Sequence, residues 1–133
     1  MNFSSAIQAC FANYATFRGR ARRSEYWFFA LFMILSSLVA AVLDGMIASS
    51  TAGHLTVFSA ILGMVLFLPS LAVTARRLHD IGRSGWWMLI SLVPIIGGIL
   101  LLVWLCKRGD DGRNRFGPDP IGPMQSGHAG AVA

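Results

Sequence analysis

Three long runs without a single charge constrain this chain more than any other feature. They are Tyr26 to Leu43, Leu55 to Ala75 and Gly85 to Cys106, of 18, 21 and 22 residues. As a helix the first covers about 27 Å. Carried on through Asp44 to Ile47, it crosses a hydrocarbon core of about 30 Å. Composition agrees. Only 13% of the 133 residues are charged and 55% are hydrophobic. That is about half the charge of an average soluble domain. So small a soluble protein could not cover its surface with so few polar groups. The expectation is one all-α integral membrane domain over 1–123, with spans at about 26–47, 55–75 and 85–106.

The charges point the same way. Eleven Lys and Arg face six Asp and Glu, a net +5. The basic residues fall into three clusters, each at the end of an apolar run. There each can gain about 1 kcal/mol against anionic headgroups. A nucleic-acid partner is therefore not expected, despite a pI near 10.3. The first seventeen residues have no basic n-region, so the first span is read as an uncleaved insertion signal.

Phe3, Ile7, Cys10, Phe11, Tyr14 and Phe17 recur at helical spacing. Asn2 or Ser4 can cap that helix. An uncharged helix over 3–17 with an aromatic face suits the membrane interface, lying flat. Arg18, Arg20, Arg22 and Arg23 then precede Tyr26 and Trp27, which reads as a cytoplasmic anchor. The loop 48–54 has no Lys or Arg, as expected on the outer side, and His54 there is plain loop polarity. Pro69 should kink the second span and free a carbonyl, with Ser70 or Thr74 as its partner.

The third run carries Val93-Pro94-Ile95-Ile96-Gly97-Gly98 at its middle. A kinked third span is the default reading. It leaves Lys107, Arg108, Arg113 and Arg115 outside against seven arginines inside. A re-entrant hairpin, its break buried in protein, would put all eleven on one side. Residues 107–123 are turn chemistry throughout and should be ordered only by docking. Residues 124–133 are read as disordered.

Three motifs, in order, carry a resemblance. They are Phe17-Arg18-Gly19-Arg20-Ala21-Arg22-Arg23-Ser24-Glu25-Tyr26-Trp27; Ala75-Arg76-Arg77-Leu78-His79-Asp80 with Arg83-Ser84-Gly85-Trp86-Trp87; and Gly112 with Asn114-Arg115-Phe116-Gly117-Pro118-Asp119-Pro120. Together they resemble the domain-of-unknown-function 805 family, small bacterial inner-membrane proteins. Phe116 stands where that pattern often has Tyr. The resemblance implies a bacterial plasma-membrane protein and no assigned activity. It also implies that the three motifs meet in one place.

The residues around the second cluster are the candidate site. On a continued helix, Arg76, His79, Asp80 and Arg83 share a face, and Arg76 can pair with Asp80. Arg77 lies off that stripe, free to snorkel to the headgroups. Arg18, Arg22 and Glu25 would face it, with Arg22 pairing Glu25. The plainer reading is a polar lock between helix ends. The functional reading is an anion, lipid or partner face made of Arg22, Glu25, Arg76, Arg77, His79, Asp80 and Arg83. Arg113, Asn114 and Asp119 join it if the tail is on the same side.

A small membrane enzyme acting on a phosphate-bearing substrate is an alternative, as is a subunit of an oligomeric transporter. No catalytic residue is nominated. His79 and Asp80 are adjacent and diverge by about 100° on a helix. No metal or cofactor is expected. Cys10 and Cys106 lack ligand spacing and are read as buried hydrophobes, and Asp110-Asp111-Gly112 does not fit a calcium loop. Expected partners are anionic membrane lipids, with a second copy or a membrane protein as alternatives; Ala41-x-x-x-Gly45 suits an oligomer contact or, equally, an internal helix contact.

Overall fold

The computed structural model describes residues 2–50 and 56–120. Four α-helices run in order: α1 Phe3–Ala12, α2 Arg23–Ser50, α3 Val57–Asp80 and α4 Ile96–Cys106, with a 3-10 helix at Gly85–Leu92 before α4. No β-strand occurs among the described residues. Most of the loop expected over 48–54, including His54, lies outside them, as does the chain from 121 onward with its expected disorder at 124–133.

Helix α1 starts where Asn2 Oδ1 accepts from Ser5 N at 2.8 Å and Ser5 Oγ accepts from Asn2 N at 3.0 Å. This reciprocal box satisfies two donors that the first turn would leave open. The helix ends at Ala12, not at 17. Asn13 Nδ2 donates to the Ala9 carbonyl at 2.8 Å, a local bond that competes with another helical turn. Ala6 and Cys10 are its buried residues. Phe11 meets Phe29 and Phe32 edge-on at 6.0 and 5.9 Å, so α1 packs on α2.

Among the described residues, helices α2 and α3 are the two elements long and apolar enough to cross a membrane, over Arg23–Ala48 and Val57–Asp80, each with mean hydropathy 2.2. In the most apolar 18-residue window of each, only 11% and 22% is buried, whereas the core helix of a soluble protein would be mostly buried. At the far end of the pair Asp44 accepts from Phe58 N and Ser59 N at 2.8 and 2.9 Å. It caps α3 from the neighbouring helix, against the positive end of the α3 dipole. Thr56, at the N-cap position of α3, makes no side-chain cap of its own.

Pro69 does free a carbonyl, that of Val65. Its partner is the Tyr14 hydroxyl, which donates to it. Ser70 and Thr74 turn elsewhere, to the carbonyls of Phe67 and Ser70. The expected partner is thus corrected: a side chain from the N-terminal segment reaches the gap, while the local hydroxyls bond nearer carbonyls.

The default expectation of a kinked third span over 85–106 is also corrected, in favour of the hairpin alternative. The 3-10 helix and α4 fold back on each other, and Trp87 meets Trp104 edge-on at 5.6 Å. Alone, α4 has 11 residues, about 16 Å, too short for the hydrocarbon core. The reversal lies at Pro94-Ile95-Ile96. Ile96 N donates to Pro94 O at 2.7 Å, closing a γ-turn around Ile95 at φ 66, ψ −64. A β-branched residue with positive φ is strained, and this hairpin over-determines it. Gly97 follows because a Cβ there would run into the Ile90 carbonyl. The polar tail is thereby returned to the end of the molecule where α2 begins and α3 stops.

Candidate functional site

Three segments meet at that end: the linker 18–22, the last turn of α3 with its exit, and the tail 105–119. The linker is not helical: it bends at Arg18-Gly19, where Gly19 takes φ +88. Ala21 N donates to Arg76 O at 3.0 Å, tying it to α3. Helix α3 stops at Asp80, Gly82 (φ +77) turns the chain away, and Arg83 N returns to Leu78 O at 2.9 Å.

Asp80 is the centre. Its two carboxylate oxygens face two guanidiniums, Arg20 at 2.9 Å and Arg77 at 2.7 Å, with side chains at most 1% exposed. Two cations on one anion leave a buried positive excess. Backbone carbonyls spread it. Arg20 donates to Asp110 O and Gly112 O at 2.6 Å each. Arg77 donates to Leu105 O at 3.2 Å and to Lys107 O. Those carbonyls lie at the negative end of α4, where a cation is stabilising. Asp110 N closes the circuit on Asp80 O at 2.7 Å. Gly109 sits so close that a Cβ would enter the Asp80 carboxylate.

A second pair lies beside it. Arg76 Nη1 donates to Glu25 Oε2 at 2.5 Å, with side chains 4% and 7% exposed. The Cys10 thiol points at the same carboxylate at 3.8 Å. Burial, then the charge of Glu25, push that thiol up to about 12.

His79 stacks flat on Phe116, ring centroids 4.0 Å apart, and its Nδ1 lies 2.9 Å from Gly19 O. A carbonyl only accepts, so Nδ1 carries the proton and Nε2 is the free nitrogen. Asn114 Nδ2 donates to His79 O at 2.8 Å and to Asp110 Oδ2 at 3.1 Å. Asp119 accepts from Gly112 N at 3.0 Å.

Several expected pairings are therefore corrected. Asp80 bonds Arg77 and Arg20, not Arg76. Glu25 bonds Arg76, not Arg22, because the linker leaves helical geometry and places Arg22 at the surface. Arg77 does not snorkel; it is 0% exposed, since three acceptors lie inward. Arg83 leaves the α3 face after Gly82 and lies over the Trp104 and Trp87 rings at 4.1 and 5.6 Å. Arg113 is exposed and makes no ion pair among the described residues. Cys10 is buried as expected, but Cys106 is exposed. Among the described residues nothing comes near the Cβ position of Gly45, so Ala41-x-x-x-Gly45 makes no internal helix contact with them.

Arg20, Gly109 and Phe116 were not among the nominated site residues. Gly19 was the available signal: a glycine before Arg20 argues against a continuous helix there.

All eleven basic residues stand at this one end, in 18–23, 76–83 and 107–115. Arg20, Arg76 and Arg77 are buried, so eight remain at the surface. Asp110, Asp111 and Asp119 are the carboxylates beside them; Glu25 and Asp80 are buried and Asp44 lies at the far end. No group of three His, Cys, Asp or Glu side chains that could hold a metal occurs among the described residues.

The family described as a protein of unknown function (DUF805) matches residues 14–118. Inner membrane protein YhaH of Escherichia coli strain K12 is 49% identical over 108 residues, 81% of this chain and 89% of that protein. Inner membrane protein YhaI of the same strain is 44% identical over 108 residues, 81% of this chain and 88% of that protein. The uncharacterized protein YiiR, also of that strain, is 34% identical over 83 residues, 59% of this chain and 50% of that protein. No solved structure matches the chain.

Proposed function

The chain belongs to the DUF805 family of inner-membrane proteins, and from that premise we propose a non-catalytic role: holding anionic lipid at the cytoplasmic face of the bilayer. In this reading α2 and α3 span, α1 lies flat in the interface, and the hairpin 85–106 enters and leaves the same leaflet. The N-terminus and tail are cytoplasmic. The positive-inside rule supports that orientation, since all eleven basic residues share one end.

The observation that carries the reading is the surplus at the surface. Eight cations face three carboxylates there, while three further arginines are held by internal carboxylates and carbonyls. The nominated face thus divides into two parts. Arg76, Arg77, Asp80 and Glu25 lock the three segments together. Arg22, Arg83 and Arg113, with Arg18, Lys107 and Arg108, present charge outward. Each surface cation contributes about 1 kcal/mol against an anionic leaflet. The phosphate-directed enzyme reading is not favoured, because Asp80 is already held by two guanidiniums.

The test is the lipid that stays with the purified protein. Arg18, Arg22, Lys107 and Arg113 all changed to Gln should lower the enrichment of anionic over zwitterionic lipid at least several-fold, with the melting temperature unchanged. Equal enrichment in a folded variant would end this reading. A compartment-sensitive reporter fused after Pro120 should report cytoplasm; a periplasmic signal would end the orientation.

A further inference from the structure

Between α3 and the 3-10 helix lies a groove of about 600 Å³. Its α3 wall is Phe67, Leu71, Ala75 and His79, one residue every four and so one helix face. Trp86 and Leu89 stand on the opposite wall. The lining is apolar except at one end, where His79 and Ser84 lie. From Phe67 to His79 the wall runs about 18 Å. One leaflet of the hydrocarbon core is about 15 Å deep. The groove is therefore as long as a leaflet, apolar along its depth and polar only at the headgroup end.

That end is also positive. Arg115 Nη2 donates to Gly82 O at 3.3 Å, and its guanidinium lies over the Phe116 ring that stacks on His79. Arg83 adjoins the lining Ser84, and its guanidinium lies beside the groove, over Trp104 at 4.1 Å and over Trp87, the neighbour of the lining Trp86, at 5.6 Å. The free Nε2 of His79 lies toward Gly85, 3.7 Å from where a Cβ there would stand. Gly85 is required by the approach itself: its Cβ would come within 2.9 Å of Ala75 Cβ and close the top of the groove.

We propose that this groove seats one acyl chain of an anionic phospholipid, with the phosphate between Arg83 and Arg115 and the headgroup beside His79 and Ser84. The inference rests on the lipid reading above and gives it a defined site. Charge complementarity selects the headgroup, since guanidiniums take a phosphate through paired N–H donors. The matching depth selects a chain rather than a soluble anion.

The test places the full chain in phosphatidylethanolamine nanodiscs with a trace of phosphatidylglycerol carrying a diazirine in its acyl chain. After photolysis, adducts should concentrate on Phe67–Leu71 and Trp86–Leu89, several-fold above Leu38 and Val42 on the outer face of α2. Leu71→Trp and Leu89→Trp, filling the groove from opposite walls, should each reduce those adducts several-fold. Leu71→Ala, which enlarges it, should keep them. The same acyl probe on phosphatidylcholine should label the groove far less.

Adducts no denser in the groove than on Leu38 and Val42 would overturn the inference, as would equal labelling by the phosphatidylcholine probe or loss of labelling in Leu71→Ala. Those results leave bulk anionic-lipid enrichment untouched. Absence of that enrichment in the unmodified chain is what overturns the broader reading.

Discussion

Asp80→Asn removes one negative charge and almost no volume from the centre of the lock. The carboxylate is 1% exposed and accepts from Arg20 and Arg77 at 2.9 and 2.7 Å. Breaking one buried ion pair from one side costs about 3–5 kcal/mol, because it strands a charge away from water. Here two guanidiniums lose their anion at once. Backbone carbonyls still hold both, which limits the loss to that range rather than doubling it. In an unfolding equilibrium this is roughly two to three and a half powers of ten. The assay is denaturant titration in mild detergent, with tryptic cleavage at Lys107–Arg115 as a local readout. The variant should unfold earlier, and the tail should be cut while α2 and α3 stay intact, because Arg20 and Arg77 are what pin Lys107, Asp110 and Gly112. The control is Arg108→Ala, which breaks the pair with Asp111 that is 72% and 84% exposed. Such a surface pair contributes under about 1 kcal/mol. If Asp80→Asn destabilises no more than Arg108→Ala, the buried network does not hold the three segments together and the argument fails.

Tyr14→Phe should destabilise the chain by about 1–3 kcal/mol, since the Val65 carbonyl opposite Pro69 loses the hydroxyl that donates to it. In a Pro69→Ala background the restored N–H can take that carbonyl, so the same change should then cost little; equal cost in both backgrounds, read by thermal melting, would refute the pairing. Cys10 should resist maleimide at pH 8 while exposed Cys106 reacts, because a thiol pushed up to about 12 is only about one part in ten thousand thiolate there. Rapid labelling of Cys10 in a folded Cys106→Ser chain would contradict its burial beside Glu25.

The membrane class was legible from three uncharged runs, because hydrocarbon leaves little room for ambiguity in an 18-residue window. The family, too, was legible from its three motifs, since their order and spacing are specific. The candidate site was legible as a set of residues but not as a set of bonds. Arg76, Arg77, His79 and Asp80 fall within five consecutive residues, and helical spacing alone favours Arg76 with Asp80. What reverses that choice is the arrival of Arg20 and of the tail carbonyls at 105, 107, 110 and 112, from positions 28 to 92 residues distant. No local pattern reports such partners.

The third apolar run shows the same division more sharply. Its composition determined that it would sit in an apolar medium, and Val93-Pro94-Ile95-Ile96-Gly97-Gly98 marked where it could break. Whether it broke was decided by packing. Trp87 finds Trp104, Gly97 lets α4 reach the Ile90 carbonyl, and Arg77 finds the carbonyls where α4 ends. A continuous helix would satisfy its own backbone but carry four cations away from the other seven. The hairpin accepts a strained Ile95 and brings the carbonyls of Leu105 and Lys107 to Arg77 and those of Asp110 and Gly112 to Arg20. Sequence alone determined medium, polarity and motif; the tertiary structure decided which charges neutralise each other, because that depends on distances between segments far apart in the chain.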